Sequence, residues 1–342
     1  MNKKEILFKI KQLYPYYTSL NLYKKKVLEN ILEHICIKYA LRYNNNSCYM
    51  DSLLVALFNS KSSKVYDYFL QSPIKNHNSV LNNNANKIRE ELIYLYNNII
   101  SEKKEKNIYC TNLRKLLRDY ENNYIKYVNK NHERNDWISS QSEPFQLLNF
   151  LDMIFNYKNN TKIEYVSYGS NKPNKKTLVR KRVDTESNIN IINIDDLIGK
   201  DELYISKLYP KKISTSKFSS DNLWNVDSKQ YNTKIEKITL LSSDFLIIHV
   251  NRLSYDNKLK TKIIPSLKIK MKENKHSIYL KSIIIHNGDY NGGHYTCLYE
   301  CKNVWYEYDD TKSKMKIIGE FDNIINYKNG YYMKNCTDLI YI

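Results

Sequence analysis

The stretch Asn44-Asn45-Asn46-Ser47-Cys48-Tyr49-Met50-Asp51-Ser52-Leu53-Leu54-Val55-Ala56-Leu57-Phe58 holds the first decisive pattern in the chain. From Met50 onward, apolar residues fall at Met50, Leu53, Leu54, Leu57 and Phe58, the spacing of one helix face. The Asn/Ser cluster ahead of them suits a helix cap. Cys48 then stands at the helix N-terminus, where the macrodipole favours the thiolate, the nucleophilic form of cysteine. Backbone N–H groups at the same end can donate to an oxyanion. The plainer alternative is a small buried cysteine that opens a core helix.

A second segment, Gly288 to Asp310, supplies a base. It reads as a glycine-rich loop followed by a β-hairpin that turns near Glu300 to Asn303. A symmetric turn there sets His294 opposite Asp309 on one face, with Cβ atoms about 5 Å apart. A carboxylate at that range holds the imidazole tautomer and stabilises its charged form. Asp310 is expected on the other face unless a bulge re-aims it. Gly292 and Gly293 would let a substrate backbone come close to His294. Cys297 and Cys301 form a lone Cys-x3-Cys, too few ligands for a four-coordinate zinc.

Outward from these segments, helical spacing marks residues 1–40 (Ile6, Leu7, Ile10, Leu13, then Val27, Ile31, Leu32, Ile35). Helices are also predicted at 49–59, 88–100, 112–128 and 144–155. β-like runs follow at Phe245 to Val250, Ile278 to His286, Tyr295 to Tyr299 and Val304 to Tyr308. Helices first and strands later is an α+β layout. The polar, lysine-rich stretch 156–240 resists assignment.

Composition excludes several classes. The 342 residues include 7 Gly and 6 Pro, which removes collagen-like and low-complexity architectures. No apolar run reaches the roughly 18 residues of a membrane span. The start of the chain lacks a secretory signal's apolar core, and six cysteines without repeating spacing suggest a reducing compartment. The net charge of +18 is dispersed and forms no aromatic-interleaved basic stripe, so nucleic acid is not the expected partner. With 32 Tyr against 9 Phe and abundant Asn, Lys and Ile, AT-rich codon usage explains much of that charge.

Taken together, the segments resemble the ubiquitin-specific protease family of papain-like cysteine proteases. Asn46-Ser47-Cys48-Tyr49-Met50-Asp51-Ser52 looks like its Cys box, with the Asp51-Ser52 ending closest to the cylindromatosis-type deubiquitinase. Gly293-His294-Tyr295 through Trp305-Tyr306-Glu307-Tyr308-Asp309-Asp310 looks like its His box. Gln141-Ser142-Glu143-Pro144-Phe145-Gln146 is similar to the segment whose acids meet ubiquitin's basic tail, with one acid replaced by Gln146. Phe245 to Leu253, followed by Ile264-Pro265, looks like a family core strand and its partner, and His249 receives no chemical role.

The resemblance implies a papain-like α+β fold with thumb (about 41–155), fingers-like region (about 156–240) and palm (about 241–342), after a helical extension at 1–40. It implies Cys48 as nucleophile, His294 as general base, Asp309 as third member and Asp310 as auxiliary. The family's usual upstream Asn and Gly fall at Tyr43 and Asn45, so Asn44 or backbone N–H groups are the oxyanion candidates. Gln141, Glu143, Gln146, Gly292, Gly293 and Tyr295 are the implied substrate contacts. No metal or other cofactor is expected, because the fingers-like region has no Cys-x-x-Cys pairs.

The implied reaction is hydrolysis of the bond after ubiquitin's C-terminal Gly, by a monomer in cytoplasm or nucleus, or in host cytoplasm or virion if the chain is viral. The alternatives are an inactive ubiquitin-binding module, a nucleic-acid-binding protein, and a cysteine protease for a ubiquitin-like modifier or a polyprotein.

Overall fold

The computed structural model describes residues 2–13, 25, 28, 41–59, 62–75, 77–100, 107–140, 142–158, 160–172, 175–209, 211–217, 224–252, 258–273, 276–289, 291–312 and 315–342. Helices come first: α1 (Lys3–Leu13), α2 (Cys48–Phe58), α3 (Ser63–Leu70), α4 (Ser79–Ile99), α5 (Thr111–Tyr127) and α6 (Pro144–Ile154). Then come β1 (Thr161–Lys172), β2 (Lys175–Glu186), β3 (Ile189–Ile192), α7 (Ile194–Leu197), β4 (Glu202–Tyr204), α8 (Ile205–Leu208) and β5 (Lys211–Lys217). These are followed by β6 (Trp224–Val226), β7 (Lys229–Tyr231), β8 (Thr233–Ser242), β9 (Leu246–Val250), β10 (Lys262–Ile264) and β11 (Lys268–Lys270). The chain ends with β12 (Ser277–Gly288), β13 (Gly293–Cys301), β14 (Val304–Tyr308), β15 (Lys316–Gly319), α9 (Phe321–Asn326), α10 (Tyr331–Asn335) and β16 (Cys336–Tyr341).

The central sheet runs β15-β14-β13-β12-β16-β9-β3, with β11 also paired to β12. Only its β3–β9 edge is parallel. Period-two alternation divides its side chains between two cores. Ile284, Cys297, Tyr299, Tyr306 and Ile340 face the helices, whereas Ile283, Ile285, Leu298, Trp305 and Leu339 face α9, α10 and the short strands. This is the expected α+β layout.

Helix α2 crosses the helix-side face of the sheet. Ser282 on β12 donates to the Ala56 carbonyl at 2.8 Å, and Asn59 donates to Ser282 at 2.7 Å. Every residue of α2 is buried, not one face alone. Neighbours on all sides fill what the sequence pattern left as a polar face. Burying side chains such as Leu53, Leu57 and Phe58 contributes about 1.5–3 kcal/mol each. Around it, α4 buries Leu81, Ala85, Ile88, Leu92, Leu95 and Ile99 at helical spacing, and Asn78 caps it by accepting from Leu81 N at 2.9 Å.

The stretch 156–240 forms a separate four-stranded sheet, β2-β1-β8-β5. Its strands are long and polar, and Leu178 and Val183 of β2 lie exposed. β3, from the same stretch, joins the central sheet instead. In the N-terminal part, α1 buries Ile6 in the helical core, and Leu28 joins it there. The predicted helical positions Val27, Ile31, Leu32 and Ile35 lie outside the described residues.

Candidate active site

The loop into α2 is held by its own side chains. Asn45 and Asn46 take left-handed φ values of 49° and 61°, a region asparagine tolerates. Asn44 N donates to Ser47 Oγ at 2.9 Å, and Ser47 Oγ in turn donates to Asp51. Arg114 on α5 binds the Asn45 carbonyl and, at 2.8 Å, that of Ile138. The predicted Asn/Ser cap does not form: Ser47 already has helical backbone angles, and its oxygen accepts from Asn44 N instead. Cys48, 2% exposed, therefore opens a helix whose first turn has no side-chain cap.

The base arrives on the β13–β14 hairpin, in a register different from the predicted one. Cys297 pairs with Tyr308 and Cys301 with Val304. The turn is the two residues Lys302 and Asn303, both left-handed at 51° and 65°. It is centred one residue later than predicted, which slides the register by two and keeps every side chain on its face. His294 and Asp309 lie beyond the last paired residues, yet they meet: His294 Nε2 and Asp309 Oδ1 are 2.9 Å apart. The chain turns after Tyr308, with Lys312 N bonded to Asp309 O at 3.0 Å. That turn also brings Asp310 Oδ1 to 3.3 Å from His294 Nε2, although alternation alone put it on the other face.

Electrostatics follow from these contacts. Burial pushes the His294 pKa down, but hydrogen bonds with Asp309 and Cys48, and the charges of Asp310 and Cys48, outweigh it and raise it to about 10. Burial would raise Asp309, but its bonds from His294 and Thr311 hold it at about 2. His294 thus stands between the cysteine and two carboxyls. Its Nε2 is committed to Asp309, so the other ring nitrogen is the one left for the thiol. An imidazolium beside a cysteine and oriented by a carboxylate can activate that thiol and protonate a leaving amine.

Other predicted site residues take more specific places. The Asn44 amide nitrogen donates to Thr111 Oγ1 at 2.8 Å. The uncapped backbone N–H groups of α2 are the donors beside the thiol. A Cβ on Gly293 would meet His286 Nε2 at 2.5 Å and Asn287 O at 2.7 Å. Close packing on β12 therefore requires a glycine there. Gly292, ahead of β13, is half-buried. The donor atoms of His294, Asp309 and Asp310 lie within 4.8 Å of one another, but they are bonded among themselves and number fewer than a closed zinc site takes. Cys48, Cys110, Cys297 and Cys336 are free thiols, while Cys301 is disulfide-bonded.

A small, largely enclosed pocket gathers Glu143, Pro144, His249, Lys258, His286 and Tyr295. Glu143 precedes α6, and Pro144 fills the first helical position. Burial pushes the Glu143 carboxyl up, partly offset by His249. His249, set aside in the sequence as core, bonds Asp338 through Nδ1 at 2.9 Å and stacks on Phe145. Lys258 donates to the carbonyls of His286 and, at 3.0 Å, Gly288, steadying the end of β12 before the histidine loop. Burial, with Lys260 and Arg252 nearby, lowers its pKa to about 7.

Tyr295 is buried and stacks on His286 at 4.6 Å. Gln146 is exposed and accepts from Ser142 across the start of α6. Gln141 lies outside the described residues. Sequence reading gave no role to Asp51, Lys258 or Asp338. Of these, Asp51 stood inside the quoted Cys stretch, three residues after the cysteine.

No helix among the described residues is long and apolar enough to cross a membrane. No curated protein matches the chain. The ubiquitin carboxyl-terminal hydrolase family matches residues 41–332, a span that runs from the strand-like entry at Leu41 through both the cysteine helix and the histidine hairpin. Its fold is papain-like, as found here. A match of that length over that fold places this chain in the ubiquitin carboxyl-terminal hydrolase family, whose members act on ubiquitin substrates.

Proposed function

We propose that the chain is a thiol-dependent deubiquitinase of the ubiquitin-specific type, cleaving the bond after the C-terminal Gly of ubiquitin. The supporting observation is the His294–Asp309 bond at 2.9 Å with Cys48 hydrogen-bonded to the same imidazole. Cys48 is the nucleophile, His294 the acid–base, and Asp309 the residue that fixes the ring. The Cys48 sulfur attacks the scissile carbonyl, and backbone N–H groups at the start of α2 receive the oxyanion. His294 gives its proton to the departing lysine amine, leaving a thioester. It then takes a proton from water, whose oxygen displaces the sulfur and frees the carboxylate. Glu143, in the pocket with His249, pairs with an arginine of the ubiquitin tail and sets its register, a geometry that carboxylate–guanidinium pairs favour. Tyr295 walls the same pocket.

The test is incubation with a ubiquitin derivative bearing a C-terminal electrophile. Wild type should form one stoichiometric adduct and Cys48→Ala none. Absence of the adduct in folded wild type, or labelling of Cys48→Ala, would overturn the reading.

A further inference from the structure

Two buried carboxyls stand behind the reacting pair. Asp51 is fully buried, three residues along α2 from Cys48, and Asp310 is 2% exposed in the turn after β14. Asp310 Oδ1 lies 3.3 Å from His294 Nε2. Ser47 donates to Asp51 Oδ2. That leaves Asp51 Oδ1 and both oxygens of Asp310 buried without a hydrogen-bond donor. Oxygens so placed are costly, since an unsatisfied buried polar atom costs on the order of its full desolvation, and only Asp310 Oδ1 has a charge partner, His294 Nε2 at 3.3 Å. The two carboxyls are nevertheless in hydrogen-bonding contact with each other. Two carboxylate oxygens cannot bond unless one carries a proton.

We infer that Asp51 and Asp310 hold a single proton between them, and that this proton ties the cysteine-bearing helix to the histidine-bearing hairpin, positioning Cys48 against His294. The inference rests on the reading of Cys48 and His294 as the reacting pair. One proton satisfies an orphan oxygen on each side at once. It also leaves one negative charge on the pair, facing His294. The surroundings favour this state. From α2 the pair is faced by Cys48 and Tyr49, and from the hairpin by His294, Asp309 and Tyr308. Cys110, ahead of α5, bonds Asp51, with Glu91 of α4 and Arg114 of α5 beyond it.

Among the described residues, no lysine or arginine forms an ion pair with either carboxyl. Arg114 is turned to the carbonyls of Asn45 and Ile138. Burial pushes both carboxyls up; the Asp310 charge raises Asp51 further, while a hydrogen bond from Asp51 favours the charged form of Asp310. Asp51 and Asp310 are therefore positioning residues. An amide at position 51 would donate to Asp310 at every pH. Asp51 does so only while the pair keeps its proton, so the tie is lost when alkali removes it.

The experiment compares Asp51→Ala, Asp51→Asn and Asp310→Asn with wild type on a fluorogenic ubiquitin substrate across pH, and records infrared spectra of the same proteins. Asp51→Ala should lower kcat about a hundredfold with KM nearly unchanged, the scale expected for a misplaced reacting pair. Asp51→Asn should recover most of that loss and move the alkaline limb of kcat to higher pH. The infrared spectrum of wild type at neutral pH should carry a protonated-carboxyl band that both Asn variants lack. If Asp51→Ala fails to fold, the near-isosteric Asn variants carry the comparison. A missing band in wild type, an Asp51→Asn enzyme as slow as the alanine variant, or an unmoved alkaline limb would overturn the inference. A folded wild type that turns over no ubiquitin substrate would instead overturn the catalytic reading, with the infrared band still deciding the shared proton.

Discussion

Two histidines in this molecule bond a carboxylate at the same 2.9 Å, and they sit in different surroundings. His249 and Asp338 are walled in at 7% and 0% exposure, with Phe145 stacked on the ring. His294 and Asp309 keep 28% and 22% of their side chains open, and the ring's other partner is a thiol. A histidine–aspartate bond therefore does not mark a reacting centre by itself. What differs is what the second ring nitrogen meets and whether a substrate can reach it. His249 lines a pocket with Glu143, whose charge acts on it, while His294 is hydrogen-bonded to Cys48.

The comparison breaks most readily in kinetics. Cys48→Ala and His294→Ala should each lower kcat/KM at least about 10³-fold, because nucleophile and base act as one unit. His249→Ala should lower kcat by less than the ~10²-fold that loss of an acid–base group gives. Steady-state rates on a fluorogenic ubiquitin substrate, with circular dichroism to verify folding, check both. Equal losses at the two histidines would erase the distinction.

Stability sharpens it next. Burial lowers the His249 pKa, but Asp338 and Glu143 outweigh it, so the folded value is raised above 6.5. A raised histidine stabilises fully below its unfolded pKa, and the contribution disappears as pH climbs through the folded one. Asp338→Asn should therefore cost most below about pH 6.5, on the order of 3 kcal/mol for a broken buried pair, and less above it. Urea melts across pH measure this. For His294 the same argument puts the loss between about 6.5 and about 10.

A smaller effect belongs to the acid of the pocket. Glu143→Ala should raise KM about tenfold, equivalent to about 1.4 kcal/mol of binding, with kcat little changed. Its folding stability should move by less than about 1 kcal/mol. An unchanged KM would remove Glu143 from the tail site. The smallest expected effect is none: treatment with a chelator should leave the rate as it was, and a rate lost with a stoichiometric metal would contradict the site described here.

The helices α2, α5 and α6, the second half of α4 and the four main sheet strands were legible from their apolar residues, whereas α3 and the short helices α7 to α10 were not. The proximity of Cys48, His294 and Asp309 was legible because these residues lie in two short segments of distinctive composition. The hairpin register was not. Its turn puts Lys302, a residue with no special tolerance for left-handed backbone, at φ 51°, so the usual Asn-Gly signal is missing. The long strands β1, β2 and β8 were not legible either: β2 is exposed along most of its length, and β1 buries polar residues, Thr161, Glu164, Ser167 and Ser170, so no apolar alternation marks it. Asp51 escaped notice because its role depends on Asp310, 259 positions away by number, and only folding brings the two together. His249 lay in an apolar run whose burial gave no hint of the pocket at its end.

The burial of α2 on every side has a practical corollary. Its first residue is the proposed nucleophile, and its remaining turns are the middle of the hydrophobic interior. A segment so placed opens only with the whole domain, not by local fraying. Molecules with a competent thiol are then the same molecules that have completed their core. The fraction of a preparation captured by an active-site probe should equal its folded fraction, so a single titration would serve as a folding assay for any variant that retains the thiol and the residues that activate and position it.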